Sequence, residues 1–232
     1  MKRLATIVGG VLALLTVVGT ASGALRVPQV PVTGTVLQSY LNTADGGINV
    51  LTDQQAIQRW QVSTGGNANF TLQLDLGPFS ANDAVGIYNA SSASPALYQV
   101  FPGNASAGWN ATVAFRTGPT RVLVSLFDAG GGFQGQTTYN GADQTNFGFY
   151  ISSPGGTFYT EDFRNPGSAA QALTFAGTGV KNTGSWWLCF DDQQISGGPG
   201  DSSFDSAVLF LQAVNPTPVA HTTWGQLKAR FR

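Results

Sequence analysis

The chain has 232 residues, 30 of them glycine, and its acidic side chains are eleven Asp and the single Glu161. Strong helix formers such as Lys, Glu and Met are scarce, which points away from a helical fold. Setting aside Lys2 and Arg3 leaves 9 basic against 12 acidic residues, so the remainder is mildly acidic and lacks the basic surface that nucleic-acid binding needs.

Lys2 and Arg3 head an almost unbroken apolar run from Leu4 to Val18, and Ala21, Ser22, Gly23 and Ala24 are the small residues that a signal peptidase requires. The run falls short of the ~20 apolar residues of a bilayer span. This predicts a signal peptide over residues 1–23, cleaved near Gly23 or Ala24, and a secreted or cell-surface protein. No other segment is long and apolar enough to be a transmembrane helix.

Residues 24–215 are expected to form a single domain. Val27 to Val32 carries Pro28 and Pro31 and reads as an extended leader rather than an interior strand. Phe70 to Leu76 alternates apolar and polar residues at period two, the mark of a half-buried strand, while Val122 to Phe127 is apolar enough to be covered on both faces. Further strands are predicted over 57–62, 84–88, 97–101, 112–115, 147–151, 186–190 and 207–214. Clusters such as Gly65-Gly66-Asn67 and Gly130-Gly131-Gly132 supply the turns between them. Many short strands with regular punctuation predict an all-β fold, an antiparallel β-sandwich or jelly roll.

Trp186 and Trp187 are neighbours on one predicted strand, so they point to opposite faces, and one of them must be exposed or covered by a second layer. Cys189, the single cysteine, lies on the same strand and reads as a small core residue. Pro216 and Pro218 mark a linker after the last strand, and residues 216–232 form that linker and a short basic tail with Trp224, Leu227 and Phe231 on one helical face.

Catalytic constellations are poorly served. His221 is the single histidine and sits in the tail, away from any serine or cysteine partner, so a nucleophile with an adjacent base is not legible. Glu161-Asp162 and Asp191-Asp192 could serve as a glycosidase pair only if each acted as a unit, but adjacent strand residues face opposite ways. The first pair reads as a solvated turn and the second as a cation-binding or capping loop. Asn69, Asn89, Asn104 and Asn110 begin Asn-Xaa-Ser/Thr sequons, which polar turns also generate by chance.

Between Phe190 and Asp205 four carboxylates, Asp191, Asp192, Asp201 and Asp205, share one glycine-rich loop bounded by strands. Calcium takes six to eight oxygens in a flexible shell and suits such a loop; an acidic surface loop is the equal alternative. Phe147 to Tyr150, Thr157 to Thr160, Trp187 to Asp192 and Asp201 to Val208 resemble a bacterial exported domain, domain of unknown function 4114, over about residues 140 to 214. The resemblance implies a surface, adhesion or matrix setting. It places Asp191 where the family has Glu, matches Asp192, Asp201 and Asp205 to acidic or amide positions, and puts Ser203 and Ser206 where Asp is usual, which implies a weaker calcium site or none.

Two readings follow. The first is a non-catalytic secreted or cell-surface protein, a structural, adhesion or matrix component whose partners are other surface or matrix components. The alternative is a carbohydrate-binding module or carbohydrate-active enzyme, for which Trp60, Trp109, Trp186, Trp187 and the tyrosines would supply a platform for sugar rings.

Overall fold

The computed structural model describes residues 23–117 and 120–217. The expected signal peptide, apart from Gly23, and the tail beyond Thr217, with His221 and Trp224, lie outside the described residues.

Two antiparallel sheets pack into a β-sandwich. One runs in the order β13 (Val214–Pro216), β1 (Trp60–Val62), β8 (Phe147–Ser153), β3 (Ala84–Asn89) and β4 (Leu97–Phe101), with β9 (Gly156–Tyr159) also paired to β8. The other runs β10 (Ala172–Ala176), β11 (Trp186–Phe190), β12 (Ala207–Gln212), β2 (Asn67–Asp75), β5 (Asn110–Thr117), β6 (Thr120–Phe127) and β7 (Phe133–Asn140). The inner faces meet in one core. Phe70 and Leu72 of β2, Leu188 of β11 and Leu209 of β12 meet Ile87 of β3 and Phe149 of β8, with Phe149 edge-on to both Trp60 and Phe70.

Strand β11 is buried along its whole length because both of its faces are covered. Trp186, Leu188 and Phe190 point into the sandwich, while Trp187 and Cys189 point outward beneath a third layer. That layer is a helix which the sequence pattern does not announce, α1 (Val36–Ala44). Leu37 and Leu41 repeat at i and i+4, Tyr40 stands edge-on to Trp187 at 6.1 Å, and the helix face closes over Leu173, Phe175, Trp187 and Val208. Nine residues form only a marginal helix in water, so packing on the sheet holds it together. Of the two options for Trp186 and Trp187, the second layer is the one the fold adopts.

The segment from Val27 to Val32 belongs to the same layer. Val30 and Val32 pack on the cluster under α1, and the fully buried Gln54 clamps the segment: its amide donates to Val30 O at 2.8 Å and Val50 O at 2.9 Å, while Val30 N donates to its carbonyl at 2.8 Å.

The strand expected over 207–214 is two strands. At Ala213 the backbone takes φ 58°, and the chain leaves one sheet at Gln212 and enters the other at Val214, which is fully buried. Pro216 therefore lies inside β13, opposite Trp60, rather than in a linker. It is tolerated because β13 is an edge strand, where one row of backbone groups has no ladder partner.

Candidate functional site

The acidic loop lies at one end of the sandwich, where β11 runs out at Phe190 and the chain returns to β12 at Ala207. All four of the sequence-predicted ligands, Asp191, Asp192, Asp201 and Asp205, line one small pocket there of about 160 Å³. Each accepts at least one hydrogen bond from a donor of the loop itself. Buried Asp191 accepts Gln193 N and Ser202 N, each at 3.0 Å, one on each carboxylate oxygen. Exposed Asp201 accepts Ser203 N at 2.9 Å, an Asx-type turn. Asp205 accepts the Ser203 hydroxyl at 2.5 Å, and Asp192 accepts the Ser206 hydroxyl at 3.1 Å.

Ser203 and Ser206 each supply a hydroxyl donor to a neighbouring carboxylate. Gln171, fully buried, completes the stitching by donating to Gln193 O at 2.7 Å and accepting from Ile195 N at 2.7 Å. Burial, with the nearby charges of Asp201 and Asp192, pushes the Asp191 carboxyl up to about 6 despite the two backbone donors.

Asp192 reaches the other way, toward the first sheet. It is fully buried; one oxygen accepts Phe79 N at 3.1 Å, and its own carbonyl accepts the Ser153 hydroxyl at 2.6 Å. The Gly77 backbone lies so close that a Cβ there would stand 2.2 Å from the Asp192 Oδ2. Beside Asp192 the structure brings in two carboxylates that sequence reasoning did not select. Asp83, just before β3, is 5% exposed, and its carboxyl lies within hydrogen-bonding reach of the Asp192 carboxyl, with no N–H or O–H donor to it from the other described residues. Asp75, the last residue of β2, has a buried Oδ1 with no hydrogen-bond partner among the described residues. Burial first, then the charge of Asp192, pushes Asp83 up to about 8 and Asp75 up to about 6, and a hydrogen bond shared with Asp192 adds to the rise at Asp83.

Asp75 and Asp83 flank a turn containing Gly77 and Pro78, and as isolated acidic residues at strand ends they read as ordinary turn formers. Nothing in their spacing signals that the turn folds back onto Asp192. Among the described residues, no three His, Cys, Asp or Glu side chains are gathered into a set that could hold a metal ion as they stand.

The Glu161-Asp162 pair, expected as a solvated turn, is neither solvated nor a unit. Glu161 is 1% exposed and bridges two guanidinium groups, Arg59 and Arg164, each at 2.5 Å, while accepting the Tyr88 hydroxyl at 3.0 Å. Asp162 turns away to pair with Arg26. Arg164 also caps the Ala90 and Ser92 carbonyls and lies over the Tyr88 ring. Cys189 is fully buried, and burial pushes its thiol far up, as befits a core residue.

Trp60, Trp186 and Trp187 are buried and Trp109 is half-buried, so they do not form an exposed platform. In the open groove of about 520 Å³ beside Pro95, Phe163 is the exposed ring, and Tyr159 is half-buried edge-on to Tyr88. No family model matches this chain, and no curated protein is similar to it.

Proposed function

We propose that the chain is a non-catalytic β-sandwich that works outside the cytoplasm as a structural, adhesion or matrix component. The observation that carries this reading is the use to which the charged side chains are put. Glu161 clamps two arginines from separate segments, Asp191 closes the long β11–β12 loop on itself, and Asp45 pins α1 to the sheet through Trp187 and the turn at Thr178. Groups spent on tying layers and loops together suit a part that bears load or presents a surface.

The apolar leader from Leu4 to Val18 supports export, and the resemblance over about residues 140 to 214 supports a place among surface or matrix components. Burial of Trp60, Trp186 and Trp187 weighs against the carbohydrate alternative. Fractionation of source cells, imaging of the native protein and mass spectrometry of its amino terminus test the proposal. A protein at the surface or in the medium that begins within a few residues of Ala24 is the expected result; an intact Met1 on a cytoplasmic protein overturns it.

A further inference from the structure

We propose that β7 joins two copies of this chain edge to edge, paired antiparallel about a two-fold axis at Thr138. Such a contact extends the seven-stranded sheet of one copy into that of the other.

The argument begins with the sheet edges. An edge strand exposes a row of N–H and C=O groups that will pair with another strand unless something blocks it. In this fold the other edges are blocked. Strand β13 carries Pro216, and Asn165 plugs β9, donating to Tyr159 O at 2.9 Å and accepting from Tyr159 N at 2.8 Å. Gln55 N covers β10 by donating to Thr174 O at 2.8 Å, and on β4 the Gln99 backbone is hydrogen-bonded to the Tyr139 hydroxyl. Strand β7 ends the seven-stranded sheet, and its eight residues, Phe-Gln-Gly-Gln-Thr-Thr-Tyr-Asn, include neither a charge nor a proline.

Register shows which of its groups are open. Gly141 N donates to Thr120 O at 2.7 Å, and in an antiparallel ladder bonded pairs alternate with non-bonded ones. Tyr139 and Thr137 therefore turn their backbone groups to β6, whereas Asn140, Thr138 and Gln136, all exposed, turn theirs to the open side.

The identity of the partner follows from the symmetry of that row. It is centred on Thr138, so a second copy running antiparallel sets Thr138 against its own counterpart and Gln136 against the partner's Asn140, with every outward backbone group paired. Cross-strand Thr–Thr pairs are favourable, and like charges directly opposite, which a two-fold axis would otherwise create, are absent from β7. The Gln136 side-chain nitrogen is held by the Ser125 hydroxyl at 2.8 Å, which aims its carbonyl for the partner's Asn140 amide. One strand edge covers less than the ~1,200 Å² of a stable pair, so the dissociation constant is on the order of 100 µM.

The test is sedimentation of the full chain, purified from its source cells, between about 1 µM and about 1 mM, a range that straddles that constant, with amide hydrogen exchange at both ends of the range. A shift from monomer to dimer is expected, with the Gln136, Thr138 and Asn140 amides slowing as concentration rises. Thr138→Lys and Thr138→Asp should each weaken association at least ~10-fold by placing like charges opposite one another, and should melt within ~2 °C of the wild type because the side chain is exposed. An equal mixture of the two variants should associate again. A wild type that stays monomeric overturns the proposal, as does association that Thr138→Lys leaves unchanged. Loss in both variants without recovery in the mixture overturns pairing about Thr138. If a variant fails to fold, hydrogen exchange of the wild type decides, since dimers without protection at those three amides join elsewhere. These readouts concern purified protein and do not depend on where it works.

Discussion

At the scale of single residues, carboxylates partly or fully withdrawn from solvent decide how the layers are joined. Asp45 lies just past α1, where the helix carbonyls disfavour a negative charge, yet it accepts the Trp187 indole N–H at 2.6 Å, the Thr178 hydroxyl at 2.8 Å, Thr178 N at 2.9 Å and Gly179 N. Burial alone would raise this carboxyl; the donors from Trp187, Gly179 and Thr178 outweigh it and hold the group below its ordinary value. Its contribution is therefore fully present above the unfolded value near 4 and is lost as pH falls through the lower folded value. Asp45→Asn is expected to destabilise by about 1–2 kcal/mol at pH 7, and the gap from wild type should close as chemical denaturation is repeated toward pH 3. Glu161 is a stronger case. Glu161→Gln leaves the well-buried Arg164 and the more exposed Arg59 without their counter-charge, and a loss of about 3 kcal/mol is expected from urea unfolding at neutral pH.

At the scale of elements, close approach and layer packing set the sensitive points. Gly86 of β3 lies where the register with β4 shifts, and a Cβ there would stand 2.3 Å from the Tyr98 carbonyl and 2.7 Å from the Tyr150 ring. Gly86→Ala should cost about 2 kcal/mol or more, because a strand backbone cannot yield as a side-chain tip can. Helix α1 gives a complementary expectation. Leu41 is fully buried against the sheet, so Leu41→Ala should cost about 3 kcal/mol and increase solvent quenching of Trp187 fluorescence as the helix loosens. If α1 were a decorative addition, neither quantity would move.

At the scale of the molecule, the two sheets share one core and the chain crosses between them at Ala213, so the sandwich should unfold as a unit. Far-ultraviolet circular dichroism and tryptophan fluorescence are expected to give coincident melting curves. The crossing also sets where the chain can be cut. A chain ending after Thr217 keeps β13 and the Thr217 N to Arg59 O bond at 3.0 Å, and should melt cooperatively. One ending at Ala213 removes fully buried Val214 and uncovers β1, and should lose cooperativity or several kilocalories of stability.

Period-two alternation in β2, the apolar runs of β6, β8 and β11 and the glycine-rich turns between them were enough to specify an antiparallel sandwich, because a strand half-buried against one core writes its burial directly into its residue pattern. The four acidic loop residues were equally legible as one cluster, being close in the chain. Sequence did not disclose β7, whose exposed polar residues carry no burial pattern, nor α1, whose nine residues owe their helix to the sheet beneath them. Nor did it disclose that Ala213 carries the chain between sheets, since a single left-handed residue interrupts no apolar run. Partners distant in the chain were hidden for the same reason: Glu161 with Arg59, Asp45 with Trp187, and Asp83 with Asp192 are separated by roughly a hundred residues or more. Local pattern determines which segments become strands and turns, but which charges meet is decided only when two sheets close on one another and bring together segments that the sequence keeps apart.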